Sequence, residues 1–348
     1  MNWKIYIGMV ALLVLVSGCI APQIPVSDET TLKIGVVLPL TGFSAEAGEN
    51  VKNGFELAKA ELLAQGYIFE LLYQDDECDP RQAIDAYAAL QLRNIEYLTG
   101  FVCSGSVMAV LPFIEQDAQQ TILSVASNPD LPLMSEYIYR VGPSDKYDAL
   151  MHAEFISERD ASYALVVIQN DYGAGIRNVL VQEQQPVMVE TFNLGAQDFR
   201  SILVKIKQAN VDVISLVGYP DNTIAFLTQL QELGMGDMVV IGSAGTITSE
   251  LFVNPQLTQN FHYTDFGHTA QFTAKYQQTY NRHPDYYSQF GYDSLYAIMQ
   301  ASEVGIDNVV FEGATGTVEF NEVGERKDLY PSIFQFIEGE VVCYKNCQ

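Results

Sequence analysis

The sequence has few basic residues. Its 348 residues include 18 Lys and Arg against 43 Asp and Glu, and the formal net charge is −25. Such a chain is not expected to bind a polyanion such as a nucleic acid. The sequence also contains no P-loop, no GxGxxG and no GxSxG motif, the usual signatures of nucleotide binding and of a nucleophile elbow.

No apolar run in the first residues is long enough to span a bilayer. Ile5 to Val16, preceded by Lys4, is instead typical of the apolar core of a signal peptide. The sequence Val16-Ser17-Gly18-Cys19 that follows resembles a bacterial lipobox. We therefore predict a signal peptide over 1–18, a lipid on Cys19 and a tether over 19–31. The alternative is a plain signal peptide with a chance cysteine.

The remaining composition favours an exported two-domain protein. With 48% hydrophobic residues, the chain is too long for one core and suits two domains. Four more cysteines, an even number, indicate two disulfides in an oxidising compartment, and three pairings are possible. No CxxC pair occurs among them, which makes a metal site the weaker reading; they are Cys78, Cys103, Cys343 and Cys347.

Apolar runs alternate with helical patterns from Leu32 onward. This alternation predicts βαβ units and parallel sheets covered on both faces. The pattern restarts after Gly142-Pro143-Ser144, which indicates a second lobe. Predicted strands cover 32–38, 67–73, 95–102, 121–126, 137–141, 163–168, 187–192, 211–217 and 238–241, and residues 316–342 read as strand-like.

Hydroxyl and aromatic side chains follow several predicted strands. In open α/β sheets ligands bind beyond the carboxyl ends of the strands. At the helix that follows Val102, Ser104 and free backbone N–H groups could hold a substrate carboxylate. Ser104 or Ser106 could instead only cap that helix, Ser127 could be a turn residue, and Tyr172 and Tyr219 could simply be packed.

Catalytic and metal sites are not predicted. None of the four histidines adjoins a strand-end hydroxyl in sequence, so no nucleophile–base pair emerges. His262, His268 and Asp265 have spacings that do not fit one helical face, and packed or solvated histidines explain them better. We therefore expect no enzyme activity, no cofactor and no metal.

Several motifs in the same order resemble the leucine/isoleucine/valine-binding protein family, which has the type I periplasmic-binding fold of ABC importers. They cover nearly the whole mature chain and include Ile34-Gly-Val-Val-Leu-Pro-Leu-Thr-Gly42, Asp76-Glu-Cys-Asp-Pro-Arg-Gln-Ala83, Gly100-Phe-Val-Cys-Ser-Gly-Ser106, Ser127-Asn-Pro-Asp130, Asp171-Tyr-Gly-Ala-Gly175, Gly291-Tyr-Asp293 and Gly316-Thr-Val-Glu-Phe-Asn-Glu-Val-Gly324.

The resemblance implies two doubly wound parallel-sheet lobes joined by a three-stranded hinge. Lobe 1 would be 32–142 plus 265–325, and lobe 2 would be 143–264 plus 326–348. The chain would cross between them near Val141–Ser144, Tyr263–Phe266 and Glu325–Asp328. The resemblance also implies a Cys78–Cys103 disulfide, which leaves Cys343 to pair with Cys347.

Carried over by resemblance, Ser104 and Ser127 would bind a ligand carboxylate or amine, and the Val125 carbonyl would accept from the amine. Tyr172 and Tyr219 would contact the ligand from the other lobe.

Two positions depart from the family pattern. Ala244 stands where the family has the glutamate that neutralises a ligand ammonium, and Ala47 stands where it has a tyrosine. An α-amino acid ligand is therefore in doubt, unless Asp221 or Asp265 replaces the glutamate.

The expected function is that of an extracytoplasmic, membrane-anchored solute-binding lipoprotein of an ABC importer. Its lobes would close on a small amino-acid-like, carboxylate or amide ligand and present a closed face to permease subunits. The alternative within binding proteins is a ligand-sensing receptor module of the same fold. An exported hydrolase is the third and weakest hypothesis.

Overall fold

The computed structural model describes residues 31–337 and 340–347. The predicted signal peptide, Cys19 and the tether up to residue 30 lie outside the described residues. Within the described part, every helix is too short or too polar to cross a membrane.

The described chain alternates strands and helices, as predicted. The strands are β1 Leu32–Leu38, β2 Phe69–Asp75, β3 Tyr97–Gly100, β4 Thr121–Leu123, β5 Ile138–Arg140, β6 Tyr163–Ile168, β7 Met188–Phe192, β8 Val213–Val217, β9 Val239–Gly242, β10 Phe261–Asp265, β11 Val310–Gly313, β12 Gly316–Glu319, β13 Ser332–Ile337 and β14 Glu340–Lys345. The helices are α1 Ala45–Ala64, α2 Pro80–Gln91, α3 Ser104–Asp117, α4 Asp145–Ser157, α5 Asp171–Glu183, α6 Arg200–Ala209, α7 Pro220–Glu232, α8 Ser249–Phe252, α9 Pro255–Thr258, α10 Ala270–Tyr280 and α11 Ser288–Val304.

The first sheet is parallel throughout, in the order β2-β1-β3-β4-β5. The interior strand β1, between β2 and β3, is buried on both faces because α1 and α11 cover one side and α2 and α3 the other. The α1–α11 contact depends on Gly54, where a Cβ atom would lie 1.8 Å from the Ser288 carbonyl oxygen. We call this sheet, with α1–α3, α10 and α11, the first half.

The second sheet has seven strands in the order β14-β13-β10-β9-β8-β6-β7. The five strands β6–β10 are parallel, whereas β13 pairs antiparallel with β10 and β14 pairs antiparallel with β13. With α4–α9, this sheet forms the second half. The sequence predicts one strand-like region over 316–342, but the structure divides this region between two sheets. β12 pairs with β11 in a separate two-stranded ribbon, whereas β13 and the start of β14 belong to the large sheet.

Both implied disulfides are present. Cys78–Cys103 joins the loop after β2 to the start of α3, with 5.5 Å between the Cα atoms. Cys343–Cys347 closes a short loop at the end of β14. The first of these fixes the loop that precedes Ser104.

Two buried arginines hold together the segments that run between the halves. Arg140 is fully buried, and its guanidinium donates to Glu325 Oε1 at 3.1 Å and to the Asn128 carbonyl oxygen at 2.6 Å. Arg326 is 3% exposed, donates to the Val141 carbonyl oxygen at 3.2 Å, and has its Nη1 3.7 Å from Asp293 Oδ2. Charged groups at such depth require partners.

The Arg326–Asp293 pair is expected to matter far more than a solvent-exposed pair nearby. Asp293→Ala leaves the Arg326 charge buried without its carboxylate, and we expect it to lower the free energy of unfolding by about 3–5 kcal/mol. Glu319→Ala breaks the 2.6 Å pair with Lys327, whose side chains are 41% and 43% exposed, and should change that free energy by less than ~1 kcal/mol. Urea unfolding measures both; equal losses would contradict this account.

Candidate ligand-binding site between the two halves

Ser104 and Ser127 lie side by side at the carboxyl ends of β3 and β4. Cys103, rather than Ser104, occupies the N-cap position of α3, so Ser104 does not cap its helix. Its hydroxyl oxygen instead accepts from the Asn128 backbone N–H at 3.2 Å. Ser104 and Ser127 are 2% and 8% exposed. The two predicted serines are therefore brought together, at the edge of the first sheet where ligands bind in α/β proteins.

Tyr172 and Tyr219 form a stacked pair on the second half. Their ring centroids are 5.5 Å apart, with 21° between the planes. The Tyr172 hydroxyl hydrogen-bonds with Ser243 Oγ at 2.8 Å, and Asn170 Nδ2 donates to the Tyr219 hydroxyl at 3.1 Å. Burial raises the pKa of Tyr219 to about 12, so this phenol is neutral at physiological pH. The pair is a rigid aromatic surface with anchored hydroxyls.

The two halves are in direct contact around these residues. Asn128 Nδ2 of the first half donates to the Asp171 carbonyl oxygen of the second at 2.7 Å. The Phe43 ring of the first half lies 5.5 Å from the Tyr219 ring. Phe43 thus places an aromatic ring in the region where Ala47 departs from the family pattern. The structure represents a closed arrangement of the halves.

An acid from another element lies at Ala244. The Ala244 backbone N–H donates to Asp148 Oδ2 at 3.1 Å, and the other Asp148 oxygen accepts from the Thr264 hydroxyl. Asp221, by contrast, is exposed at the start of α7. A carboxylate from α4, which the sequence pattern did not indicate, therefore lies beside position 244, with both oxygens bonded to protein groups.

Asp145 is a second acid that the sequence reasoning missed. It begins α4, its backbone N–H donates to the Ser127 carbonyl oxygen at 2.9 Å, and it is 4% exposed. Burial, followed by the neighbouring Asp148, raises the pKa of its carboxyl well above the ordinary range. Its position directly after Gly142-Pro143-Ser144 was the available signal, but that stretch was read only as a boundary between lobes.

Two further tyrosines come from the segment before α11. Tyr286 and Tyr287 have ring centroids 4.9 Å apart. Burial raises the pKa of both phenols. Tyr172 and Asp145 raise the pKa of Tyr286 further, and Tyr219 raises the pKa of Tyr287 further. With 20 tyrosines in the chain, sequence gave no reason to select these two.

The charges around the site are mainly negative. Asp265, at the end of β10, is half-buried, and burial raises its pKa to about 7. Burial also lowers the pKa of His152, which keeps this imidazole neutral at pH 7. The Arg140 charge is matched by Glu325. Asp148 therefore faces the neutral His152, 3.5 Å away, and the guanidinium that acts on Asp145 is already bonded to Glu325.

The structure separates the residues considered for metal binding and catalysis. His262 packs against Phe155 and Tyr344, with centroid distances of 4.8 and 5.3 Å, whereas His268 hydrogen-bonds with the Thr273 hydroxyl. In residues 31–337 and 340–347, no three His, Cys, Asp or Glu side chains are grouped so as to hold a metal ion. Among the same residues, no histidine hydrogen-bonds to Ser104.

Comparison with known proteins decides the family. A family profile described as "Periplasmic binding protein" matches residues 31–305. The chain belongs to the periplasmic binding protein family. Its members are extracytoplasmic solute-binding proteins rather than enzymes. A curated relative named Leu/Ile/Val-binding protein homolog 2, from Brucella abortus, is 23% identical over 83% of this chain and 82% of its own length.

Solved structures show the same fold. The leucine-binding protein LivK of Thermotoga maritima superposes with a TM-score of 0.81 at 22% identity, over 90% of this chain and 98% of that one. A solute-binding protein of Rhodopseudomonas palustris in complex with benzoate gives a TM-score of 0.80 at 17% identity, over 90% and 96%. The predicted type I periplasmic-binding fold is thus confirmed. The individual ligand contacts of this periplasmic binding protein stay a prediction.

Gly175 tests whether the contact between the halves closes the molecule. A Cβ atom at Gly175 would lie 2.8 Å from Pro129 Cδ and 3.1 Å from Asn128 Nδ2, across the contact. Gly175→Val should therefore hold the halves apart and increase the radius of gyration measured by small-angle X-ray scattering. Gly267→Val is the matched control because a Cβ atom there meets nothing within 4 Å. Identical scattering from the two variants would contradict the closed arrangement.

Proposed function

We propose that this protein is a lipid-anchored solute-binding protein of an ABC importer, which encloses one small molecule between its two halves. Lobes comprising 32–142 plus 265–325 and 143–264 plus 326–348 open to admit the ligand and close on it. Closure presents a defined surface to permease subunits in the membrane. The protein would act outside the cytoplasm, held to the membrane surface through Cys19.

The observation that carries this proposal is the convergence of site residues from both halves. Ser104 and Ser127 come from the first half, whereas Tyr172 and Tyr219 come from the second, and the halves touch beside them. A ligand held by both sets of side chains gains contacts only when the halves meet. Such a difference in contact between open and closed states is what drives ligand-dependent closure.

The ligand class follows from the groups that converge. Hydroxyls and free backbone groups at the start of α3 suit a carboxylate or an amide, while the stacked tyrosines suit an apolar or flat body. The similar structures include a protein named as a leucine-binding protein, one in complex with isoleucine and one in complex with benzoate. A small amino-acid-like, carboxylate or amide ligand, contacting Ser104, Val125, Ser127, Tyr172, Tyr219 and the Ala244 region, fits both observations.

The transport role is supported by the family. Several similar structures bear names that describe them as ABC transporter components, among them a substrate-binding protein from Sphaerobacter thermophilus and the Rhodopseudomonas palustris proteins. A binding protein of this type works with permease subunits. A lipid at Cys19 would keep it beside them, since two acyl chains give stable membrane attachment where one gives only marginal binding.

Ligand binding should depend on the stacked tyrosines. A soluble form that lacks Cys19, stripped of co-purified ligand, is titrated by calorimetry with amino acids, amides, carboxylates and polyamines. We expect one class to bind with 1:1 stoichiometry, and Tyr219→Ala to weaken its binding at least ~10-fold because an aromatic contact is lost.

Tyr344→Ala is the matched control because this tyrosine is 40% exposed on β14. Its binding should equal that of the unaltered protein. Failure of every class to bind would contradict the proposed function, and equal weakening by both variants would contradict the site.

The anchor is tested on the mature protein. Mass spectrometry of the chain purified from membranes should find Cys19 as the first residue, carrying a diacylglyceryl group. Cys19→Ala should abolish lipid incorporation and release the protein from the detergent phase of a Triton X-114 partition. A mature N-terminus elsewhere, or an unmodified Cys19, would show that the segment is a plain signal peptide.

A further inference from the structure

The loop between β1 and α1 carries Phe43 to the other half of the molecule. Thr41, Gly42 and Phe43 are exposed. The Phe43 side chain is 45% exposed, although its ring centroid lies 5.5 Å from that of Tyr219 in the second half. An exposed ring has few packing contacts to fix its place. The position of Phe43 must therefore be set by the backbone of its own loop.

A single carboxylate, that of Asp75, fixes this loop. Asp75 Oδ1 accepts the backbone N–H of Leu40 at 2.8 Å and that of Thr41 at 3.3 Å, and Oδ2 accepts the Thr41 hydroxyl at 2.6 Å. Leu40 and Thr41 lie after the end of β1 and before the start of α1. Because backbone donors need acceptors wherever the chain runs, Asp75 supplies here what a strand or a helix supplies elsewhere.

Asp75 is itself held in place. It ends β2, directly opposite Leu38 of β1, and its Oδ1 also accepts the Glu77 backbone N–H at 3.0 Å. Burial alone would raise the pKa of this carboxyl, but the hydrogen bonds from Thr41, Glu77 and Leu40 lower it below its ordinary value. The group is therefore ionised at physiological pH, and hydrogen bonds to an ionised acceptor are roughly twice as strong as neutral ones.

We propose that Asp75 is a positioning residue for ligand retention, which holds the loop after β1 so that Phe43 meets Tyr219 when the halves close. This inference rests on the proposed function, since it concerns the closed state that would enclose the solute. The ring contact across the halves is made only while they are closed, and such an aromatic pair is equivalent to about 3- to 10-fold in an equilibrium. Without Asp75, the loop turns Phe43 away from Tyr219 and a bound molecule escapes faster.

The test follows the escape of the molecule that co-purifies with the soluble form lacking Cys19. Each loaded protein is mixed with an excess of stripped, heavy-isotope-labelled protein, which captures whatever is released. Native mass spectrometry then counts the chains of each mass that carry the molecule over time. If nothing co-purifies, a compound from the calorimetric panel that binds is loaded instead.

The variants compared are Asp75→Asn, Phe43→Ala and the two substitutions together. Glu70→Gln is the matched control because it removes a carboxylate from the same strand β2, on a side chain that is 46% exposed and pairs with Arg93 at 3.5 Å. Its rate of escape should equal that of the unaltered protein.

We expect Asp75→Asn and Phe43→Ala each to raise the rate of escape about 3- to 10-fold, because each removes the ring contact. The double variant should be no faster than Phe43→Ala alone, since two residues that act through one contact are not additive. A merely structural role for Asp75 would instead add its effect to that of Phe43→Ala.

Thermal melting shows whether Asp75→Asn is folded. If it is not, Thr41→Val removes only the hydroxyl that Asp75 Oδ2 accepts. This variant should also raise the rate of escape, and its effect should likewise vanish when Phe43→Ala is present.

The outcomes separate the inference from the proposed function. If Asp75→Asn releases the molecule as slowly as the unaltered protein, or if the effects of the two substitutions add, the inference is wrong while the solute-binding function stands. If no molecule co-purifies and every class of the calorimetric panel fails to bind, the proposed function is overturned and the inference falls with it.

Discussion

The buried guanidinium of Arg140 links two chain segments that run between the halves to the candidate site. Arg140 ends β5, where the chain leaves the first sheet, and it binds Glu325, in the segment between β12 and β13. A third bond reaches the carbonyl oxygen of Asn128, whose side chain makes the 2.7 Å contact with the second half. Closure of the halves and the position of the Ser127 loop therefore depend on the same buried charge. Burying this guanidinium is tolerated because each of these partners accepts a hydrogen bond from it.

The closed arrangement also depends on glycines, which have no side chain and so allow close contacts. Gly175 brings α5 against Pro129 and Asn128, and Gly54 brings α1 against α11 inside the first half. The stacked tyrosines add a flat surface rather than a flexible one, because both hydroxyls are anchored.

Much of the fold could be predicted from sequence, because strand and helix periodicity is local. The pattern of strand-end serines and tyrosines singled out Ser104, Ser127, Tyr172 and Tyr219, which lie where the two halves meet. Their contacts with a ligand stay a prediction. The antiparallel β13–β14 hairpin was not anticipated, since 316–342 gives one continuous strand-like signal. Asp145, Asp148 and Tyr286 were missed for a different reason. Their roles arise from burial and from contacts with residues distant in sequence, which no spacing rule reports.

The central claim is that the two halves enclose one small molecule. Native mass spectrometry of the protein purified from its own organism tests this most directly, followed by unfolding and identification of whatever is released. The account predicts one small molecule per chain, lost from a Tyr219→Ala variant prepared in the same way but retained by Tyr344→Ala. Protein without a bound small molecule, or a molecule retained equally by the Tyr219→Ala variant, would contradict it.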